Sequence, residues 1–260
     1  MYGICNLSIV PVRAEPSDRS EMVSQLLLGE HFTILETQLK WIKIQNAWDN
    51  YIGWISNKQF DSLNETQFEE LNALNPQMVA DIAHVIVHQY TKETMAVVMG
   101  SVLPNYAKHA FFLGNEAFKY EGTLQSTAPK NLRHAIIETA YLYLNSPYLW
   151  GGKSPFGIDC SGFTQMVYKL CGVAILRDAS QQAQHGVPLS FIEEALPGDL
   201  AFFDNDEGKI IHVGIVLKGN KIIHASGSVR IDQLDHQGIY NDTAKSYTHN
   251  LRVIKNVIGL

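Results

Sequence analysis

The spacing of apolar residues changes near Pro129, and this change most strongly limits what the chain can fold into. Before it, short apolar runs are separated by polar turns, a pattern typical of strands in a small barrel or sandwich. After it, apolar residues recur first at helical spacing and then in β-branched runs. The sequence therefore predicts an α+β fold, in which helices are followed by sequential, antiparallel strands.

The individual elements follow from the same patterns. In the N-terminal half, strands are predicted over residues 6–12, 30–35, 40–45, 51–55, 83–87 and 95–98, with a hairpin over 109–122. In the C-terminal half, helices are predicted to begin near residues 132 and 160. Strands are then predicted over residues 199–203, 210–217, 221–226 and 252–257.

A chain of 260 residues is long enough for one large domain or for two to three smaller ones. We predict a first β module over residues 1–62, a polar linker over 63–77, a second, reduced β module over 78–125 and an α+β domain over 126–260. The second module is short for an independent domain, so we expect it to pack against its neighbours.

Composition limits the partners and the compartment. A formal net charge of −6 without Lys or Arg clusters argues against a nucleic-acid partner. No apolar run approaches the ~20 residues that cross a bilayer, and the N-terminus lacks a signal-peptide pattern. Three cysteines without a C-x-x-C pair favour reduced thiols. These features predict a cytoplasmic protein that does not bind membranes.

Cys160 is the candidate nucleophile. It follows a glycine-rich aromatic run and lies in the first turn of a predicted helix, where the helix dipole favours a thiolate. Cys171 lies on the apolar stripe of the same helix, and Cys5 lies in a strand-like run. Both are interpreted as small buried apolar residues.

His212 and His224 are the candidate partners of Cys160. Each lies in a predicted strand, and the segment 218–220 connects the two strands. A three-residue turn would place both imidazoles on one face, whereas a two-residue turn would place them on opposite faces. We expect the first arrangement, with His212 as the base and His224 orienting it. The remaining histidines are interpreted as ordinary core or surface residues: His84, His88, His109, His134, His185, His236 and His249.

A zinc site is the alternative for Cys160, His212 and His224, combined with a carboxylate. Structural and catalytic zinc sites usually bring two ligands close together in sequence, and that spacing is absent here. We therefore expect neither a metal nor another cofactor.

Six segments recur in an order that resembles the NlpC-type family of papain-like cell-wall cysteine peptidases. They are PYLWGG at 147–152, IDCSGF at 158–163, RDASQQ at 177–182, LPGDLAFF at 196–203, HVGIV at 212–216 and IHAS at 223–226. The resemblance implies a papain-like domain of helices packed on an antiparallel sheet. It also implies that Cys160 is the nucleophile, His212 the general base and His224 the orienting residue. The implied substrates are peptidoglycan stem peptides, cut between γ-D-glutamate and a diamino acid, meso-diaminopimelate or L-Lys.

The N-terminal half is similar to the bacterial SH3-like modules that accompany this catalytic domain, through VRAEPS at 12–17 and DNYIGWI at 49–55. The resemblance implies one full and one reduced SH3-like small β-barrel module. In similar chains without a signal peptide, such a module narrows the cleft and selects a free N-terminal L-alanine. The substrate-binding residues that this implies are Glu15, Tyr51, Asp159 and Ser161 near the amine, Tyr148 and Trp150 along the cleft, and Arg177 and Asp178.

Two other functions remain open from the sequence. The chain could bind wall peptides with an inactive catalytic domain, or it could be a thiol-dependent γ-glutamyl amidase or acyltransferase. Measuring turnover of a wall peptide distinguishes a binding protein from a peptidase. Measuring the mass of the products distinguishes an amidase or acyltransferase from a peptidase. In each case the expected partner is a peptidoglycan-derived peptide, and the oligomeric state is unknown.

Overall fold

The computed structural model describes residues 1–125 and 129–258, and these group into two compact units. The first unit contains residues 1–125 and Trp150–Pro155, and the second contains residues 129–149 and 156–258. Residues 126–128 and 259–260 lie outside the described residues. The predicted boundary between residues 125 and 126 lies beside the first of these gaps, and the predicted domain end at residue 260 lies in the second.

A seven-stranded antiparallel sheet forms the first part of the first unit, in the order β3-β2-β6-β5-β4-β1-β7. Its strands are β1 (Tyr2–Ile4), β2 (Ile9–Arg13), β3 (Met22–Leu27), β4 (His31–Thr37), β5 (Trp41–Asn46), β6 (Ile52–Ser56) and β7 (Asp61–Leu63). Alternate residues of β5 are buried, as expected when one face of a sheet covers a core. The four strands predicted before residue 60 correspond to β2, β4, β5 and β6.

The predicted closure of this sheet into a small barrel is not seen. Strands β3 and β7 lie at opposite ends of the sheet, and among residues 1–125 no pairing joins them. The sequence reveals the alternation of each strand, but it contains no local signal for which strand lies at an edge. The SH3-type strands are therefore present as an open sheet.

The predicted linker contains the helix α1 (Glu65–Ala73). Asn64 begins this helix with a capping box: its side chain accepts from the backbone N–H of Gln67 at 2.9 Å, and the Gln67 side chain accepts from the Asn64 N–H at 3.0 Å.

Two smaller sheets follow α1, one ordered β10-β9-β13-β12 and one pairing β11 with β8. Their strands are β8 (Gln77–Met78), β9 (Ala83–His88), β10 (Thr94–Val98), β11 (Val102–Leu103), β12 (Ala110–Leu113) and β13 (Glu116–Lys119). One apolar cluster joins Ile86 and Phe111 of these sheets to Ile4 and Leu63 of the first sheet. The expectation that residues 78–125 pack against a neighbour is therefore confirmed.

Helices and a closed barrel make up most of the second unit. The helices are α2 (Leu132–Leu142), α3 (Cys160–Leu170) and α4 (Ala179–Gln182), with a 3-10 turn at Ile192–Glu194. The strands from residue 153 onward are β14 (Lys153–Ser154), which falls in the first unit, β15 (Gly157–Ile158), β16 (Val187–Pro188), β17 (Leu200–Asp204), β18 (Ile210–Leu217), β19 (Lys221–Ser226), β20 (Ser228–Leu234), β21 (Gly238–Asn241) and β22 (Ser246–Asn256).

The C-terminal sheet has the order β16-β22-β17-β18-β19-β20-β21, and a further pairing of β21 with β22 closes strands β17 to β22 into a barrel. Every residue of α3 is buried, and this helix packs on β18 and β19. The α+β class is therefore confirmed. The described helices have at most 11 residues, and none is long and apolar enough to cross a bilayer.

Candidate active site

Cys160 is the first residue of α3, and only 7% of it is exposed. Asp159 caps this helix because its side chain accepts from the backbone N–H of Gly162 at 2.6 Å. The capping carboxylate thus lies beside the thiol in sequence, and it occupies the helix N-terminus where a thiolate would otherwise be favoured.

Burial raises the pKa of the Cys160 thiol to about 12, and the negative charge of Asp159 acts in the same direction. The backbone N–H of Val213, the charge of Arg177 and the backbone N–H of Ser161 lower the pKa by less. The expected lowering of the Cys160 pKa is therefore wrong, because desolvation and the charge of Asp159 outweigh these lowering effects. Cys160 is a neutral thiol at neutral pH.

The hairpin of β18 and β19 places His212 and His224 together. Its register pairs Leu217 with Lys221 and Gly214 with His224, so three residues form the turn. Nε2 of His212 lies 2.8 Å from Nδ1 of His224. The predicted turn length and the shared face of the two imidazoles are therefore confirmed. These two nitrogens hydrogen-bond to each other rather than converging on an ion.

Three polar residues of β20 and β21 lie behind His224. Nε2 of His224 lies 3.0 Å from Oδ2 of Asp232, and that oxygen also forms an ion pair with Nη2 of Arg230 at 2.9 Å. Nδ2 of Asn241 donates to Oδ1 of Asp232 at 3.1 Å. These residues were not predicted as site residues because neither strand was predicted, although Val229 and Ile231 alternate with polar neighbours as strand residues do.

His249 of β22 stacks on His212, with ring centroids 4.1 Å apart and planes inclined by 24°. Burial lowers the pKa of His249 to about 4. Burial also lowers the pKa of His212 well below its ordinary value, with His224, His249 and Arg230 acting in the same direction. Both rings are therefore neutral at neutral pH. The interpretation of His249 as an ordinary residue overlooked this contact, for which the local sequence holds no signal.

Cys160 and His212 both line a cavity of about 300 Å³. The residues that line it are Tyr148, Cys160, Ile211, His212, Ala225, Ser226, Gly227 and His249. Burial raises the pKa of the Tyr148 phenol to about 12, so this group is protonated at neutral pH. The cavity can therefore present a thiol, a neutral imidazole and a phenolic donor to one small substrate group.

Asp159, Ser161 and Arg177 form a buried cluster beside the start of α3. Nη2 of Arg177 lies 2.6 Å from Oδ2 of Asp159, and Nη1 donates to Oγ of Ser161 at 2.9 Å. Arg177 itself is 1% exposed. It supports Asp159 and Ser161 from the interior, while Asp178 precedes α4 and donates its backbone N–H to the Gln181 side chain at 3.0 Å.

The other predicted substrate-binding residues belong to the first unit. Glu15 is exposed in the loop between β2 and β3, and Tyr51 precedes β6 and is partly buried. Trp150 is 60% exposed, and its Nε1 donates to Oε1 of Glu21 at 2.6 Å. Glu21 is a carboxylate that the sequence analysis did not single out.

Gly151 is a turn residue with a φ of +76°. A Cβ atom at this position would lie 2.3 Å from the carbonyl oxygen of Met22, so only glycine fits. Nearby, Nζ of the fully buried Lys153 pairs with Oε1 of Glu30 at 3.1 Å. These contacts tie the segment Trp150–Pro155 into the first unit.

Two protein-family models match the chain. The NlpC/P60 family matches residues 145–248, and the bacterial dipeptidyl-peptidase SH3 domain matches residues 12–60. An NlpC/P60 family protein from Bacillus cereus has a solved structure with a TM-score of 0.83 at 22% identity, covering 99% of this chain and 100% of its own. That likeness shows the fold.

Two relatives are similar over most of their length. The gamma-D-glutamyl-L-lysine dipeptidyl-peptidase of Bacillus subtilis is 31% identical over 78% of this chain and 71% of its own length. The dipeptidyl-peptidase 6 of Lysinibacillus sphaericus is 31% identical over 91% of this chain and 93% of its own length. The chain therefore belongs to the NlpC/P60 family of cysteine peptidases.

Proposed function

We propose that this chain hydrolyses the bond between γ-D-glutamate and the following diamino acid in peptidoglycan stem peptides that begin with a free L-alanine. The observation that carries the proposal is the cavity shared by Cys160 and His212, with His212 bonded to His224. The choice of bond rests on relatives named gamma-D-glutamyl-L-lysine dipeptidyl-peptidase. The diamino acid is meso-diaminopimelate or L-Lys.

The neutral states of Cys160 and His212 define the proposed first step. The sulfur attacks the amide carbonyl carbon while an unprotonated ring nitrogen of His212 accepts the thiol proton. A C–S bond forms, and the C–N bond then breaks as His212 returns the proton to the leaving amine. Water next attacks the thioester through His212, which releases the acid and regenerates the thiol. His224 orients the His212 ring throughout.

Tyr148 is the candidate donor to the oxygen that becomes negative in this step. It lines the cavity with Cys160, and its phenol is protonated at neutral pH. A donor that lies where charge develops stabilises the transition state more than the ground state. We therefore propose that Tyr148 lines the cleft and also donates a hydrogen bond to the oxygen that becomes negative.

Selection of the free amine is assigned to carboxylates and to the first unit. Asp159 is held in one orientation by Arg177, and Ser161 is held by the same guanidinium. A fixed carboxylate pairs with an ammonium group and rejects a blocked amine. We propose that Glu15 and Tyr51 contribute to the same selection. Trp150 is assigned to the cleft, and Arg177 and Asp178 are assigned minor roles.

The proposed setting is cell-wall recycling in the cytoplasm. Cys5, Cys160 and Cys171 are free thiols, which suits a reducing compartment. The middle segment, residues 78–125, is proposed to be a reduced SH3-like module that supports the first.

The test uses L-Ala-γ-D-Glu-L-Lys, the matching meso-diaminopimelate peptide and the N-acetylated form of each. Mass spectrometry is expected to show L-Ala-γ-D-Glu and the free diamino acid with the reduced protein. Cys160→Ala should lower kcat by about 10⁴-fold or more, because it removes the nucleophile. Cys171→Ala is the matched control and should retain activity, since that thiol lies outside the cavity.

The outcomes separate the alternatives. Cleavage by Cys160→Ala at the wild-type rate would contradict the peptidase chemistry. Peptide binding without turnover would indicate a binding module, and products carrying a transferred γ-glutamyl group would indicate an acyltransferase. Equal rates on free and acetylated peptides would remove the amine selection but not the peptidase assignment.

A further inference from the structure

Asp232 lies in a set of hydrogen bonds whose direction can be assigned from fixed donors. Oδ1 of Asn241 accepts from the backbone N–H of Ala244 at 2.7 Å. Because a backbone N–H can only donate, the other side-chain atom of Asn241 must be Nδ2, which donates to Oδ1 of Asp232 at 3.1 Å. The first carboxylate oxygen is therefore an acceptor.

The second carboxylate oxygen is an acceptor as well. Oδ2 of Asp232 forms an ion pair with Nη2 of Arg230 at 2.9 Å, and a guanidinium group offers no acceptor that would need a proton from the carboxyl. Although burial raises the pKa of Asp232, its hydrogen bonds to His224 and Asn241 and the charge of Arg230 hold the pKa below its ordinary value. An ionised carboxylate has no proton to give, so Nε2 of His224 must donate across the 3.0 Å contact.

The hydrogen bond from His224 to Asp232 determines which ring nitrogen of His212 carries the proton. Burial keeps His224 neutral, and a neutral imidazole has one N–H, so Nδ1 of His224 can only accept. Its partner, Nε2 of His212, lies 2.8 Å away and must therefore be protonated. The reverse arrangement would place an unprotonated Nε2 of His224 against a carboxylate oxygen, two acceptors facing each other. Nδ1 of His212 is left unprotonated.

We propose that Asp232 is a positioning residue that acts through His224 to hold the proton of His212 on Nε2 and to leave Nδ1 free as the base. The proposal rests on the proposed function, in which His212 accepts the thiol proton of Cys160. It extends the set of Cys160, His212 and His224 by one residue from a strand that the sequence did not predict. Arg230 and Asn241 orient the carboxylate and act only through it.

The first test removes the acceptor. Asp232→Leu keeps a similar size but offers His224 no acceptor, so the protons of both rings can move to Nδ1. We expect kcat to fall by on the order of 100-fold. This is less than the roughly 10⁴-fold loss seen when the residue bonded directly to a catalytic histidine is changed, because Asp232 acts through His224. KM should change by about threefold or less, because no substrate contact is removed. Asp235→Asn, which removes a nearby carboxylate outside this set, is the matched control and should leave kcat unchanged.

The second test restores the acceptor in a new form. The double variant combines Asp232→Asn with Asn241→Asp. The new carboxylate at position 241 accepts a hydrogen bond from the amide Nδ2 at position 232. The amide oxygen at position 232 then faces His224 and Arg230. We expect kcat within about tenfold of the wild-type value. Loss of kcat in this double variant equal to that of Asp232→Leu would contradict the assignment of proton directions.

The third test reads the tautomer without substrate. ¹⁵N NMR of histidine-labelled protein distinguishes a protonated from an unprotonated ring nitrogen, and spectra of His212→Gln and His224→Gln assign the signals. We expect His212 to carry its proton on Nε2 in the wild type and partly on Nδ1 in Asp232→Leu. A wild-type proton on Nδ1 would overturn the proposal even if Asp232→Leu fails to fold. Because no turnover is needed, this result is independent of whether the peptide substrate is correct.

Discussion

At the scale of single residues, Cys160 and His212 line one cavity as a neutral thiol and a neutral imidazole rather than as a thiolate and an imidazolium. The same burial acts on both pKa values in opposite directions, raising that of the thiol and lowering that of the imidazole. Each shift favours the uncharged form, so in the proposed mechanism the thiol proton moves when the sulfur attacks the substrate carbonyl.

The pH dependence should follow these directions. As the proposed base, His212 must be neutral to accept a proton. Its lowered pKa keeps it neutral at pH 6.5 and somewhat below. We therefore expect kcat/KM to be constant through pH 6.5 and to fall only at lower pH. Alkylation of Cys160 by iodoacetamide should show no inflection near pH 8.5, where an ordinary thiol titrates, because the pKa lies at about 12. Peptide mapping after alkylation from pH 6 to 10 measures this, with the unfolded protein as control. An inflection between pH 8 and 9 would contradict the neutral pair.

At the scale of elements, the β18–β19 hairpin sets the distance between the imidazoles of His212 and His224. Gly214 lies directly opposite His224 in this hairpin. A Cβ atom at 214 would lie 2.7 Å from Cδ1 of Ile222 and 2.8 Å from Cβ of His224. The absence of a side chain at this position therefore allows the His224 ring to reach both of its partners.

Gly214→Ala should consequently displace His224. We expect an overpacking cost of about 1–3 kcal/mol in the free energy of unfolding, measured by denaturant titration, together with a lower kcat. Gly219→Ala in the turn of the same hairpin is the control: nothing lies within 4 Å of the added Cβ, but its φ of +79° makes alanine strained. That variant should lose stability without losing kcat. Equal kcat losses in both variants would show that general destabilisation is the cause.

At the scale of the whole molecule, three neutral histidines of the second unit link stability to pH. Burial lowers the pKa values of His212, His224 and His249 in the folded state. Below pH 6.5 these histidines bind protons in the unfolded chain but not in the folded one. Their contribution to the free energy of unfolding is therefore complete above pH 6.5 and is lost as the pH falls. For His249 the loss extends down to about pH 4.

The variant His249→Phe should reduce this acid sensitivity, because phenylalanine keeps an aromatic ring against His212 but cannot bind a proton. We expect the fall in Tm between pH 7 and pH 4.5 to be smaller than in the wild type, as measured by calorimetry. His236→Phe serves as the control for losing a histidine outside the cavity, and its Tm should follow the wild-type curve. Parallel curves for His249→Phe and the wild type would refute the link.

The sequence by itself determined the α+β class and the position of Cys160 at the start of α3, and it favoured a shared face for His212 and His224, which the register of β18 and β19 confirms. These features depend on neighbouring residues: apolar periodicity sets the helix, and a three-residue turn sets the hairpin register. Only the tertiary structure decided the rest. The pairing of β21 with β22 closes the barrel, and the strands β20 to β22 bring Asp232, Asn241 and His249 to the imidazoles. Burial, which depends on distant segments, then reversed the expected shift of the Cys160 pKa, because desolvation outweighs the backbone hydrogen bonds of Val213 and Ser161.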